Sequence, residues 1–380
     1  MCLVRHELRK LIRTPMIWIF LLLCLLANLF FICTDLYERD GFHQTSQMVK
    51  QTGQRMGDSL TQILYQQPKS EWRDILLEAT ANPKDIFEAF QMRQLSSNEL
   101  QQSISSDIFE RWQVWKYRLL QPRIKQMADE DVSLDVYAGV LTHDSHMRLF
   151  GTVLRAVTGE AACAGMLFML HLFGYERLYD TETLLATAKT GRRICRTKII
   201  AGLLAAAAGY LLLAVGTLAV YFCLWDYSGL WNANVSSQFN YIAQGLSAVP
   251  FVTWADFTVA GYLAATLALG MVFTLAVSLP AAAVGMLCRN TYLGALGLFA
   301  MILCSLAVPF LCADLKLWVC YMISMFLPIV LWFQQVAWFT EQSINAVLPW
   351  QETIGICGNL LLSSGICMAT WKRYKRKDLL

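Results

Sequence analysis

Residues 257–287 read FTVAGYLAATLALGMVFTLAVSLPAAAVGML, 31 positions without one Asp, Glu, Lys or Arg. A helix crosses the hydrocarbon core of a bilayer in about 20 residues. Only structures that pair every backbone group internally are stable there. The stretch is therefore a helical membrane span, and its excess length predicts tilt or a kink at Pro280. Working outward, five more apolar segments have the same character: Pro15 to Thr34, Gly151 to Phe173, Ile199 to Leu224, Tyr292 to Cys312 and Thr353 to Thr370. Arg289 and Asn290 mark a tight turn between the fourth and fifth.

Composition agrees. Of the 380 residues, 56% are hydrophobic and 16% charged, with a mean hydropathy of +0.43. Soluble domains carry about 25% charged residues. The net charge of +3 says less than where the charges sit. None of the 12 cysteines falls between Cys33 and Cys163, across the largest polar segment, which argues against a disulfide framework there. Elsewhere Cys lies in or beside apolar runs, where it behaves as a small hydrophobe. Cys312 and Cys320 flank a short loop and are spaced to pair.

Arg5, Arg9, Lys10 and Arg13 precede the first apolar run. That run is too long for a signal-peptide core and no A-x-A site follows, so an uncleaved first span is expected. Val4, Leu8, Leu11 and Ile12 share one helical face, which predicts an amphipathic helix lying in the membrane interface.

Residues 35–150 are rich in Gln, Ser, Asp and Glu, with helical apolar spacing at Met48, Met56, Leu60, Ile63 and Leu64. The same spacing recurs at Ile104, Ile108, Trp112, Trp115 and Leu119. Pro68, Pro83 and Pro122 punctuate the segment, and four to six helices without a sheet are expected.

Residues 315–340 are apolar and aromatic but broken by Pro328. The distribution of basic residues decides whether they cross. With six spans, Arg5–Arg13, the cations Arg177, Lys189, Arg192, Arg193, Arg196 and Lys198, then Arg289, then Lys372–Lys377 all share one side. A seventh span would separate the last group from the rest. Residues 315–340 are thus expected to be re-entrant or interfacial, which suits Trp318, Trp332, Trp338 and Trp350.

Sites of chemistry are few. The chain contains no Walker A loop, no H-E-x-x-H and no G-x-S-x-G. His143 and His146 sit three apart but lack further ligands, so they read as a solvated helix start and no metal site is expected. Glu160 lies inside the second span. An intramembrane carboxylate usually faces protein or water, so Glu160 is either a residue of a translocation path or an interfacial acid held by Arg155 or by water. His171 reads as a packed helix histidine.

Residues 176–193 read ERLYDTETLLATAKTGRR, an acidic start and a basic end between the second and third spans. This pattern suits a short helix with a favourable dipole, to about Ala188. The segment resembles the cytoplasmic loop of ABC-2-type ABC transporter permeases, bacterial exporters especially. Glu176, Thr181, Leu185, Arg192 and Lys198 fall on that loop's pattern, while Asp180 replaces its usual Gly and Ala188 stands where Pro is common. The resemblance extends to the basic N-terminus, six spans, a domain between the first two, and the re-entrant stretch.

The resemblance implies a coupling loop at 174–198, with Glu176, Thr181, Glu182, Leu185, Lys189, Gly191 and Arg192 docking on a separate ATP-binding subunit. ATP and magnesium would be held by that subunit and no cofactor by this chain. A second permease copy or a paralogue would complete the path, the lipid bilayer would surround it, and no nucleic acid is implied. The expected fold is an all-α polytopic membrane protein with six transmembrane helices. It divides into residues 1–34, a helical extracytoplasmic domain at 35–150, and a membrane domain at 151–380. Both termini would be cytoplasmic in a plasma membrane. The rival reading is a non-enzymatic sensor or immunity scaffold binding a peptide through its outer domain. An intramembrane enzyme is disfavoured because no nucleophile–base set is visible.

Overall fold

The structure, a computed structural model, describes residues 2–34, 36–81, 85–88, 107–179, 181, 194–244, 247–288, 290–342 and 345–376. Among them six helices are long and apolar enough to cross a membrane. The chain enters through α1 (Cys2–Ile12) and turns at Thr14 into the first span, α2 (Pro15–Cys33), with Pro15 at its first position. Helices α3 (Arg39–Thr52), α4 (Asp58–Gln66), α5 (Glu71–Ala81) and α6 (Asp107–Asp129) follow. Helix α7 (Thr142–His146) runs through a π-helical turn, Met147–Val153, into the second span, α8 (Leu154–Leu178).

The third span is α9 (Ile194–Leu224), the fourth α10 (Val259–Leu287) and the fifth α11 (Thr291–Asp314). Two short helices, α12 (Trp318–Ser324) and α13 (Pro328–Phe333), precede the sixth, α14 (Gln351–Arg376). Residues 315–340 thus supply no helix long enough to cross. The fourth span stays helical through Pro280.

Spans two and four form the centre of the bundle, while the first, fifth and sixth leave most of their apolar surface uncovered. Close packing at the centre depends on small side chains. A Cβ on Gly165 would stand 2.1 Å from Ser278 Oγ and 3.2 Å from Ala206 Cβ, so this glycine lets the second, third and fourth spans approach.

The polar segments gather at one end of the bundle as a cap. Residues 36–150 do not build it alone. Their core residues Phe42, Leu60, Tyr137 and Phe150 share one apolar cluster with Trp225, Tyr262, Trp338 and Ile356. Residues 225–258 contribute an antiparallel hairpin, β1 (Tyr241–Gln244) with β2 (Ser247–Pro250), a strand element among described residues that are mostly helical. Ion pairs stitch the pieces: Arg148 to Glu38 and Lys116 to Glu341 are buried, and Arg123 reaches the exposed Asp256 at 3.7 Å.

Several expectations are corrected here. In α6 the buried stripe is Tyr117, Leu120, Ile124 and Met127, whereas Trp115 and Leu119 are exposed. Both sets have helical spacing, and the polar partners of Lys116 and Arg123 select the first. Ile104 lies outside the described residues. The second span has no break at residue 151, because Arg148 faces inward, pairs with Glu38 and stacks 4.0 Å from the Trp225 ring centre. His146 is not solvated: its ring is buried among Phe150, Phe251 and Tyr262, and its Nε2 lies 2.9 Å from the Val336 carbonyl. In α1, Leu11 is buried and Val4 and Leu8 are partly so, but Ile12 is exposed. Cys312 and Cys320 are free thiols.

Candidate functional site at the loop end of the second span

Glu176 occupies the last turn of the second span, whose helix closes at Leu178; the helix expected to run to about Ala188 falls mostly outside the described residues. It is not a solvated loop residue, being 6% exposed. One carboxylate oxygen meets the ammonium of Lys198, in the first turns of the third span. The other lies 2.6 Å from Lys10 Nζ on α1. Lys10 also reaches Glu7 at 2.7 Å and stands 5.0 Å over the Tyr175 ring. Two acids and two cations therefore form a buried, charge-balanced quartet. Burial tends to lower the pKa of Lys10, but its hydrogen bonds to Glu176 and Glu7 prevail and hold it above the usual lysine value.

More ties converge here. The Lys198 ammonium also donates to the Leu172 carbonyl, which suits a cation near a helix C-terminus. The Arg177 guanidinium donates to the Cys288 carbonyl just past the fourth span. Thr14 Oγ1 lies 3.0 Å from His171 Nε2, which places His171 in the seam between α1 and the second span. Gly174 faces Thr291 at the start of the fifth span, where a Cβ would stand 2.3 Å from Oγ1. The Thr181 N–H donates to the Glu176 carbonyl at 2.8 Å and closes the helix end. Glu182, Leu185, Lys189, Gly191 and Arg192 lie outside the described residues.

A second polar cluster lies deeper. Asn28 Nδ2 donates to Glu160 Oε2 at 2.8 Å and to Thr217 Oγ1 at 3.1 Å, joining the first three spans. Arg155 does not hold Glu160. Its guanidinium lies 3.4 Å from the Phe333 carbonyl, and its own carbonyl accepts from Trp332 Nε1 at 2.8 Å. The sequence reading missed Asn28 and Thr217. Asn28 is the one amide between Pro15 and Cys33, a visible signal, but nothing in the sequence gives its partners. It also missed that Glu7 and Lys10 fold back onto Glu176. His143 and His146 gain no third ligand: no group of three or more His, Cys, Asp or Glu gathers among the described residues.

Mechanically, the quartet fastens both stems of the 176–198 segment to each other and to α1. Displacing one stem alone would break a buried ion pair, which costs about 3–5 kcal/mol. The two stems and α1 are thus built to move together. Comparison of the chain with protein-family models, with curated proteins and with solved structures finds no match.

Proposed function

We propose that this chain is the membrane subunit of an ATP-driven exporter of the ABC-2 type. It takes its energy from a separate ATP-binding subunit and works with a second permease copy or a paralogue. The observation that carries this reading is the ion pair of Glu176 with Lys198, extended to Lys10. A coupling loop must pass displacement to its spans without bending at either stem, and a buried quartet across both stems supplies that stiffness. Closure of the ATP-binding subunits against residues 182–193 would then shift the second and third spans and α1 as one unit. The path between the two permeases would open alternately to either side.

In this reading the loop end is cytoplasmic, with both termini, in the plasma membrane. The cap is extracytoplasmic, and residues 315–340 enter the outer membrane face without crossing. ATP and magnesium belong to the partner. The chain itself supplies binding, positioning and motion.

Charge reversal of Glu176 tests the reading. Glu176→Lys faces Lys198 and Lys10 with a like charge and should abolish docking of the ATP-binding subunit while the chain still inserts. Normal transport by that variant would sink the coupling role.

A further inference from the structure

Glu160 has no cationic neighbour among the described residues. No basic side chain among them lies within ion-pair distance of it, unlike Glu176 and Glu7 of the quartet and Glu38 and Glu341 of the cap. It is only half-buried and lies on a stripe of the second span, Thr152, Ala156, Glu160, Cys163 and Leu167, that the rest of the chain does not fully cover. A carboxylate at this depth facing lipid costs at least ~2.5 kcal/mol. The stripe is therefore a surface for water, a second copy or cargo.

The carboxylate is also held in place. Asn28 is fully buried behind it and shares its amide N–H groups between Glu160 and Thr217. Asn28 Oδ1 is buried without a hydrogen-bond partner, so the cluster lacks donors as well as positive charge. A group that brings both is an organic cation with N–H donors.

We propose that Glu160, braced by Asn28 and Thr217, binds an ammonium or guanidinium group of the cargo on a water-accessible stripe of the second span. The assignment of that group to cargo rests on the exporter reading. Glu160 is the binding residue, and Asn28 and Thr217 are positioning residues. Cys163, one turn along the same stripe and exposed, is a built-in reporter.

The test uses the full chain in nanodiscs. Cys163 is reacted with a methanethiosulfonate bearing a primary aminoethyl (ammonium) group and, separately, with one bearing a sulfonate. Modification is read by peptide mass spectrometry and normalised to a free thiol in solution. The cationic reagent should react at least about tenfold faster, the scale of one charge-assisted contact. Glu160→Gln should abolish the preference, and Glu160→Asp should keep it. Dodecylammonium should protect Cys163, and dodecanol should not. Equal rates in the native chain, no modification by either reagent, or a preference that survives in Glu160→Gln would overturn the proposal. None of these readouts needs the ATP-binding subunit. Charge-selective labelling of a chain that has no such partner would keep the cation site and remove the exporter.

Discussion

Lys198, in the first turns of the third span, is ion-paired with Glu176 in the last turn of the second, and both are buried. The segment between them is therefore locked at both ends. A buried pair rarely stabilises more than well-packed apolar residues would, yet removing one member strands a charge. Such a pair is thus better understood as fixing geometry than as adding stability.

Lys198→Met should lower stability by about 3–5 kcal/mol by leaving Glu176 short of a cation. Adding Glu176→Gln to that variant should recover much of the loss. Thermal unfolding in detergent measures both. Losses that simply add would mean the two residues do not act as a pair.

Lys10 predicts a pH dependence with a definite sign. Its folded-state pKa is raised, because Glu176 and Glu7 outweigh burial. Its contribution is then fully present below the ordinary lysine value of about 10.4 and disappears as pH rises through the folded value above it. The stability gap between the native chain and Lys10→Met should stay constant through neutral pH and close only in strong alkali. Hydrogen exchange should show α1 loosened in the variant. A gap that closes below neutrality would contradict the assignment.

Lys116 in the cap predicts the opposite slope. Burial holds its pKa below the usual lysine value, and Glu341 offsets this only in part. The unfolded chain binds more protons between that depressed value and about 10.4, so stability rises with pH there. Lys116→Met should remove this part of the slope, as read from denaturant unfolding at several pH values. An unchanged slope would show that burial does not depress the Lys116 pKa.

Gly165→Ala should cost about 1–3 kcal/mol by overpacking against Ser278. Ser278→Ala should relieve part of that cost in the double variant, because the clashing atom is Ser278 Oγ. Thermal unfolding checks the pair. A harmless Gly165→Ala would mean the second and fourth spans lie further apart.

The six spans were legible because long runs free of charge have few other readings. Their ends were less so. Arg148 looks like a residue outside the membrane, and nothing local reveals that Glu38 and Trp225 receive it. Residues 35–150 read as a free-standing domain because sequence reports composition, not that Trp225 and Trp338 complete the core. In α6, two stripes have the same period, and only the distant Glu341 and Asp256 choose between them. At the candidate site, Glu176 and Lys198 were legible by resemblance and Glu160 by its depth. Lys10, Asn28 and Thr217 were not, because their roles depend on pairings across 132 to 189 residues.

The most direct test is mild-detergent purification of the tagged chain from its native membrane, identifying whatever co-elutes. The account predicts a stoichiometric subunit carrying a Walker A motif, lost when Glu176 is reversed in charge or residues 182–193 are replaced. Repeated purification of an active chain with no ATP-binding subunit would contradict it.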